Sequence, residues 1–331
     1  HLVVQRMKKI AKFLANRVVK SVLVLLMIAL FNFFLVRAAP GDPAEILAGQ
    51  SGAVDAEFIA KLRQEFGLDK PIAVQLGQYL KNVATFDLGY SYRQQAPVAG
   101  LILQHLPATL LLTLSAFAFA LLAGVSLGTQ AALRVGKWGD TVITTLSMLA
   151  YATPLFWVGL MLVLLFSVNL EWLPAFGYES VGANLTGVAR LADVARHLLL
   201  PALTLGMFYM AVYARLTRAS ILEISQLDFV KTARAKGLSE RTVIVRHVLR
   251  NALLPVITYA GIQAGGLIGG SLLVETVFAW PGIGRLAFDA LIQRDYSVLL
   301  GVFFVASLIV VVVNLVTDIL YTVADPRIEL K

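Results

Sequence analysis

The chain has no cysteine among its 331 residues, so it forms no disulfide, no thiolate-bound metal site and no thiol nucleophile. Histidine is nearly as scarce, and His1, His105, His197 and His247 are too scattered along the sequence to suggest a metal centre. Charge is thin as well: Asp, Glu, Lys and Arg make up 15% of the residues, against about 25% in an ordinary soluble domain. No G-x-x-x-x-G-K-[ST] run occurs, since Gly136-Lys137 lacks both the partner glycine and the following hydroxyl. Nucleotide is not held by that route.

What fills the chain instead is apolar: 58% of the residues are hydrophobic and the mean hydropathy is +0.78. A helix crossing the ~30 Å hydrocarbon core needs about 20 mostly apolar residues at ~1.5 Å each. Six stretches qualify: Val18 to Val36, Thr109 to Leu133, Val142 to Val168, Leu198 to Val212, Leu253 to Phe278, and Val298 to Val323. The fourth is short and carries Pro201 near its start. These runs predict one all-α integral membrane domain over residues 17–331, behind an N-terminal tail of residues 1–16. The chain starts at His1, and Met7 precedes a basic stretch, so His1 to Arg6 are left out of the fold reading as an appended segment. The run ending at Val36 is longer than a cleaved signal core and reads as a retained anchor.

Orientation follows from the basic residues. Arg6, Lys8, Lys9, Lys12, Arg17 and Lys20 precede the first span, Arg134 and Lys137 follow the second, and Arg215 to Arg250 is strongly basic. Placing these segments and the tail with Arg327 and Lys331 in the cytoplasm puts both termini inside and makes the span count even. The net charge of +8 is then loop charge, and nucleic acid is not an expected partner. On the outer side lies the segment 37–107, too polar to cross and too long for a bare link, which predicts a small folded cap. Within it Glu57 to Phe66 reads as a short helix stopped by Gly67.

Several motifs fail on context. Gly124-Val125-Ser126-Leu127-Gly128 matches a nucleophile elbow, but it lies inside an apolar span, where glycines four apart serve close helix packing. Gly282-Ile283-Gly284-Arg285-Leu286-Ala287 loosely fits a dinucleotide fingerprint, yet no strand feeds it, and Trp280-Pro281 before it marks an outer turn. In the fifth span Gly261, Gly265 and Gly269 recur every fourth residue beside Gly266 and Gly270. Such a face either packs tightly on a neighbour or lines a moving pore. Intramembrane polar groups are expensive and often functional. Asn314 and Asp318 lie one turn apart in the sixth span, and Glu275 lies near the outer end of the fifth, with structural hydrogen bonding or a place in the pathway as the alternatives. Together with Trp280, these residues are the pathway and gate candidates.

The loop Arg215 to Arg250 is the most informative segment. Asp228 reads as an N-cap, Phe229 to Lys236 as a short helix, and Gly237 as its left-handed C-cap. Ser239 then starts a second helix, Glu240 to Arg250, running into the fifth span. A lipid surface attracts basic amphipathic helices, but the small face of Thr232, Ala233 and Ala235 offers little apolar area for lipid and close approach for a protein groove.

These residues resemble the permease subunits of ABC importers, whose cytoplasmic signature has the form E-A-A-x-x-x-G followed by I-x-L-P. Lys231, Thr232, Ala233 and Gly237 occupy its first, second, third and last places, and Leu254-Pro255 supply the ending. Lys231 in place of Glu, and the longer spacing to Pro255, resemble the dipeptide and oligopeptide (peptide/nickel) branch. Thr232 to Leu238, Arg250 to Pro255, Pro40 to Pro43, Gly67 to Pro71, Glu275 to Gly284 and Arg294 to Tyr296 are similar to that branch's runs, and the likeness spans Arg17 to Arg327. The Pro-Gly-Asp-Pro element and long first outer loop are similar to its B-type permease.

The resemblance implies a type I ABC importer transmembrane domain in a bacterial inner membrane. It further implies a C-type permease as heterodimer partner, two cytoplasmic ATPases holding ATP and Mg, and an external substrate-binding protein. No cofactor is expected on this chain, which is a transport subunit rather than an enzyme. Asp228, Phe229, Lys231, Thr232, Ala233, Arg234, Ala235, Lys236, Gly237 and Leu238 are the expected ATPase-coupling residues. Di- or oligopeptide is the expected cargo, with nickel chelates or glutathione as alternatives. A stand-alone secondary transporter predicts mid-membrane ionisable groups and an inverted repeat, neither of which is evident, and a mere scaffold leaves the glycine-rich fifth span without a role.

Overall fold

In the computed structural model the described residues are 2–38, 41–42, 44–45, 48–49, 55–65 and 67–324. They are overwhelmingly helical. In chain order the elements are α1 (Leu2–Ala38), α2 (Ala56–Glu65), α3 (Ile72–Ala84), β1 (Tyr90–Ser91), β2 (Ala96–Pro97), α4 (Val98–Leu133), α5 (Trp138–Ala152), α6 (Leu155–Val163), α7 (Gly187–Ile224), α8 (Asp228–Ala235), α9 (Glu240–Thr242), α10 (Arg250–Ala264), α11 (Gly266–Val277), α12 (Ile283–Ile292) and α13 (Tyr296–Ala324). π-Helical turns at Leu164–Asn169 and Val243–Leu249 extend α6 and join α9 to α10.

Among the described residues, four helices are long and apolar enough to cross a membrane, within α1, α4, α7 and α13. Two bent pairs bring the number to six if each counts as one span: α5 with α6, at 107°, and α9–α10 with α11, at 59°. Two of the predicted spans are therefore not single straight helices. The third breaks because Pro154 has no N–H and pushes Thr153 into an extended conformation (φ −84°, ψ 135°). The fifth breaks at the Gly265-Gly266 pair, where no side chain resists a kink. The fourth is longer than Leu198 to Val212, since α7 runs for 38 residues straight through a buried Pro201.

The chain divides into two compact units. One comprises residues 1–105, 286–311 and 328–331. It contains the cap: α2 ends at Gly67, which takes φ +63°, and Arg63 pairs with Asp42 and with Glu45 (2.8 Å). The β1–β2 hairpin pairs Tyr90 with Pro97 and Ser91 with Ala96. Buried Asp295 caps α13 by accepting from the Val298 N–H at 3.3 Å and from the Ser91 hydroxyl. At Gly301 a Cβ would come within 2.6 Å of Val98, so α13 packs directly on the start of α4.

The other unit comprises residues 106–285 and 312–327. Its core joins Leu112 of α4, Leu200 and Leu205 of α7, Leu267 and Val274 of α11, and Phe278 and Trp280 beyond it. Lipid supplies no hydrophobic drive between helices, so close backbone approach must hold them. The glycines of the discarded nucleophile-elbow match do this: Cβ atoms at Gly124 and Gly128 would meet Tyr213 at 2.7 Å and the Ala214 carbonyl at 2.4 Å on α7. Gly206 of α7 lies equally close to Phe119 of α4.

Candidate functional site

The basic loop is built outward from α7. Its helical face continues to Ile224, and the chain turns at Ser225–Leu227 into α8. Leu227 rather than Asp228 is the N-cap; Asp228 is the first helical residue, its carboxylate accepting from Lys231 Nζ at 3.0 Å. Acidic charge in a first helical turn faces the positive end of the helix dipole, so Asp228 supports the start without capping it. At the other end Gly237 takes φ +77° with open space around it, as the left-handed C-cap reading requires. Ser239 caps the next helix, its Oγ accepting from the Thr242 N–H at 3.4 Å.

One face of α8 is anchored. Val230 is fully buried and Ala233 is 5% exposed, packed with Ala132, Ile221, Val243, Val248 and Ala252. Ala233 thus belongs to the chain's own core, not to the outward small-residue face. Thr232 and Ala235 do face out, as do Asp228, Lys231, Arg234, Lys236 and Gly237. Leu227, Phe229 and Leu238 are each more than 40% exposed around them. The bend is braced by Arg234, whose Nε and Nη2 donate to both oxygens of Glu240 at 3.1 and 2.7 Å. That carboxylate holds the guanidinium's pKa above its ordinary value. The result is a short helix, fixed below and bare above.

A second brace ties the base of the loop. Arg218 of α7 donates from Nε and Nη2 to the two oxygens of Asp140 on α5, at 2.6 and 2.8 Å. Asp140 is 5% exposed and also accepts from the Gly136 N–H (3.1 Å) and the Thr144 hydroxyl (3.3 Å). Sequence reasoning missed this pair, because 78 residues separate its members and each sits in a segment read simply as loop charge.

Among the pathway candidates, Glu275 and Trp280 come together. Glu275 is fully buried; its Oε1 accepts from Thr109 at 2.7 Å and its Oε2 from the Arg285 N–H at 3.0 Å. Thr109 accepts in turn from the Ile283 N–H at 2.8 Å. Trp280 donates from its backbone to the Glu275 carbonyl (2.9 Å) and from its indole to Ala108 (2.8 Å), with its ring against Tyr178. Gly282 and Gly284 are glycines because a Cβ at either would fall within 2.3 and 2.8 Å of the Glu275 carboxylate. Thr109, the centre of this node, was not singled out from sequence.

The other candidates do not converge there. Gly265 is buried at the bend, Gly269 faces open space, and the Gly261 carbonyl accepts from Thr317 of α13 at 3.5 Å. Asn314 is exposed on α13, one turn before the half-buried Asp318.

The description "binding-protein-dependent transport system inner membrane component" fits residues 120–330, and its N-terminal companion fits residues 10–113. The chain belongs to this family. Relatives of this permease include the di/tripeptide transport system permease protein DppB of Pseudomonas aeruginosa, 41% identical with 96% of this chain and 98% of that protein covered. The dipeptide permease DppB of Alkalihalophilus pseudofirmus is 37% identical over 95% and 98%. The glutathione transport system permease protein GsiC of Salmonella typhi is 40% identical over 96% and 99%. A chain of the inward-facing MetNI methionine ABC transporter shares the fold at TM-score 0.55 and 16% identity, covering 68% of this permease and 96% of that chain. The permease thus has the type I ABC importer transmembrane fold and is a multi-pass inner membrane protein.

Proposed function

We propose that this permease forms half of a translocation pathway for di- and oligopeptides, paired with a C-type permease. An external binding protein delivers the cargo, and two cytoplasmic ATPases holding ATP and Mg supply the energy. Both termini are cytoplasmic. The observation that carries the ATPase contact is the geometry of α8, a helix anchored through Val230 and Ala233 to the core beneath it while Phe229, Lys231, Thr232 and Ala235 are exposed on its other side. A conformational change passes between two sites only through an element that both bias, and α8 is rigid toward the α7 and α10 helices and bare toward the cytoplasm. Two of the relatives are named for di- or tripeptide transport, which favours peptides, and one for glutathione, which stands as the alternative cargo.

Replacing Gly237 with valine forces a β-branched residue into the left-handed region, at a cost of about 1–2 kcal/mol, with no clash inside the chain. Uptake and transport-coupled ATP hydrolysis are expected to vanish while membrane insertion persists. Normal uptake by that variant refutes the assignment. For the cargo, the ligand retained by the cognate binding protein decides, and a nickel chelate there would displace the peptide reading.

A further inference from the structure

The break between α5 and α6 carries more than a change of direction. Irregular backbone at membrane depth is tolerated only where it is buried in protein or lines a cavity. Here Pro154 offers no N–H to Ala150, and Thr153, extended at φ −84° and ψ 135°, ends α5. A cavity of about 360 Å³ opens at this point, bounded by residues 151–155, by Leu205, Phe208 and Tyr209 of α7, and by Gly270 of α11. That size is at the lower end of small-molecule sites, roughly 300–1,000 Å³. It holds one large side chain with its peptide unit.

The walls define the chemistry. Tyr151 and Phe208 stack at 4.9 Å and 20°, and Phe208 meets Tyr209 edge-on at 5.3 Å and 84°. Among the described residues no Asp, Glu, Lys, Arg or His lines the cavity; Arg215, 5.7 Å from the centre of the Tyr151 ring, is not part of its lining. The Tyr209 hydroxyl lies 3.8 and 3.6 Å from where Cβ atoms would stand on Gly266 and Gly270, which places it beside the bend of α11. A wall of aromatic faces and edges suits an uncharged, apolar or aromatic side chain.

We propose that this cavity seats an uncharged side chain of the transported peptide, Phe208 and Tyr209 being the walls that favour aromatic and large apolar residues. The proposal rests on the peptide reading above. The test uses the assembled importer with its binding protein, comparing uptake efficiency for Gly-Phe, Gly-Gly and Gly-Glu in the wild type, Phe208→Ala and the milder Phe208→Leu and Tyr209→Phe. In Phe208→Ala the Gly-Phe to Gly-Gly ratio is expected to fall about 5-fold, the worth of one aromatic contact near 1 kcal/mol. Phe208→Leu should lie between it and the wild type. If all peptides fall alike, or the ratios stay at wild-type values, the cavity belongs to lipid or to the partner permease and the proposal is overturned. A wild-type importer that carries none of the three peptides, although intact, brings down the peptide reading itself, a result distinct from unchanged ratios.

Discussion

At the scale of single residues, the permease depends on a few polar atoms whose partners are fully specified. Asp140 is the clearest, with both oxygens committed to Arg218 and two further donors attached. Removing one member of a buried pair costs more than the pair contributes, because the other charge stays behind unpaired. Because the Arg218 side chain is 29% exposed and keeps part of its hydration, Asp140→Ala is expected to lower stability by about 1–2 kcal/mol, seen as a drop in thermal unfolding temperature in detergent. Adding Arg218→Met to it should recover part of the loss, and strict additivity of the two would show that they do not interact. Glycines separate just as sharply. Gly282→Ala would drive a methyl into the Glu275 carboxylate, whereas Gly269→Ala enters open space on a helix. The first should yield little folded protein. The second should fold as well as the wild type or better, since alanine gains about 1 kcal/mol of helix propensity over glycine, and equal yields of the two variants would contradict the packing described.

At the scale of elements, long apolar runs and their flanking charge made the membrane helices and the basic loop legible in the sequence, and the Gly237 turn was legible because only glycine takes that backbone cheaply. The breaks were not. A window of about 20 residues averages over Thr153-Pro154 and Gly265-Gly266, so hydropathy reads Val142 to Val168 and Leu253 to Phe278 as straight spans. Nor does periodicity reveal which side of α8 is anchored: Ala233 and Ala235 look alike until Val243 and Val248 close over the first. The Glu275 node was half visible, as a costly acid near a Trp-Pro-Gly turn, but its partner Thr109 lies 166 residues away. The breaks have a direct test. Pro154→Ala restores an N–H and favours a continuous helix by about 3 kcal/mol, which should close the bend between α5 and α6. Insertion should persist and most uptake should be lost; full uptake would mean that the bend is dispensable for transport.

At the scale of the whole molecule, the question is which surface meets the cytoplasmic machinery, and the lack of cysteine turns it into a labelling experiment. Any single cysteine introduced into this chain is the only thiol present. Ala235 faces out from α8 while Ala233, two residues earlier, is buried under α10 and its preceding π turn. In inside-out vesicles Ala235→Cys should react readily with a membrane-impermeant maleimide, and in right-side-out vesicles it should not. Ala233→Cys should resist the reagent from both sides unless the protein is unfolded, because a thiol is modified only where the reagent reaches it. Assembly with the ATPase subunits should then slow the labelling of Ala235→Cys, since the docking helix would be covered. Labelling from the outside would invert the orientation, and labelling unaffected by the ATPases would place their contact elsewhere than on α8.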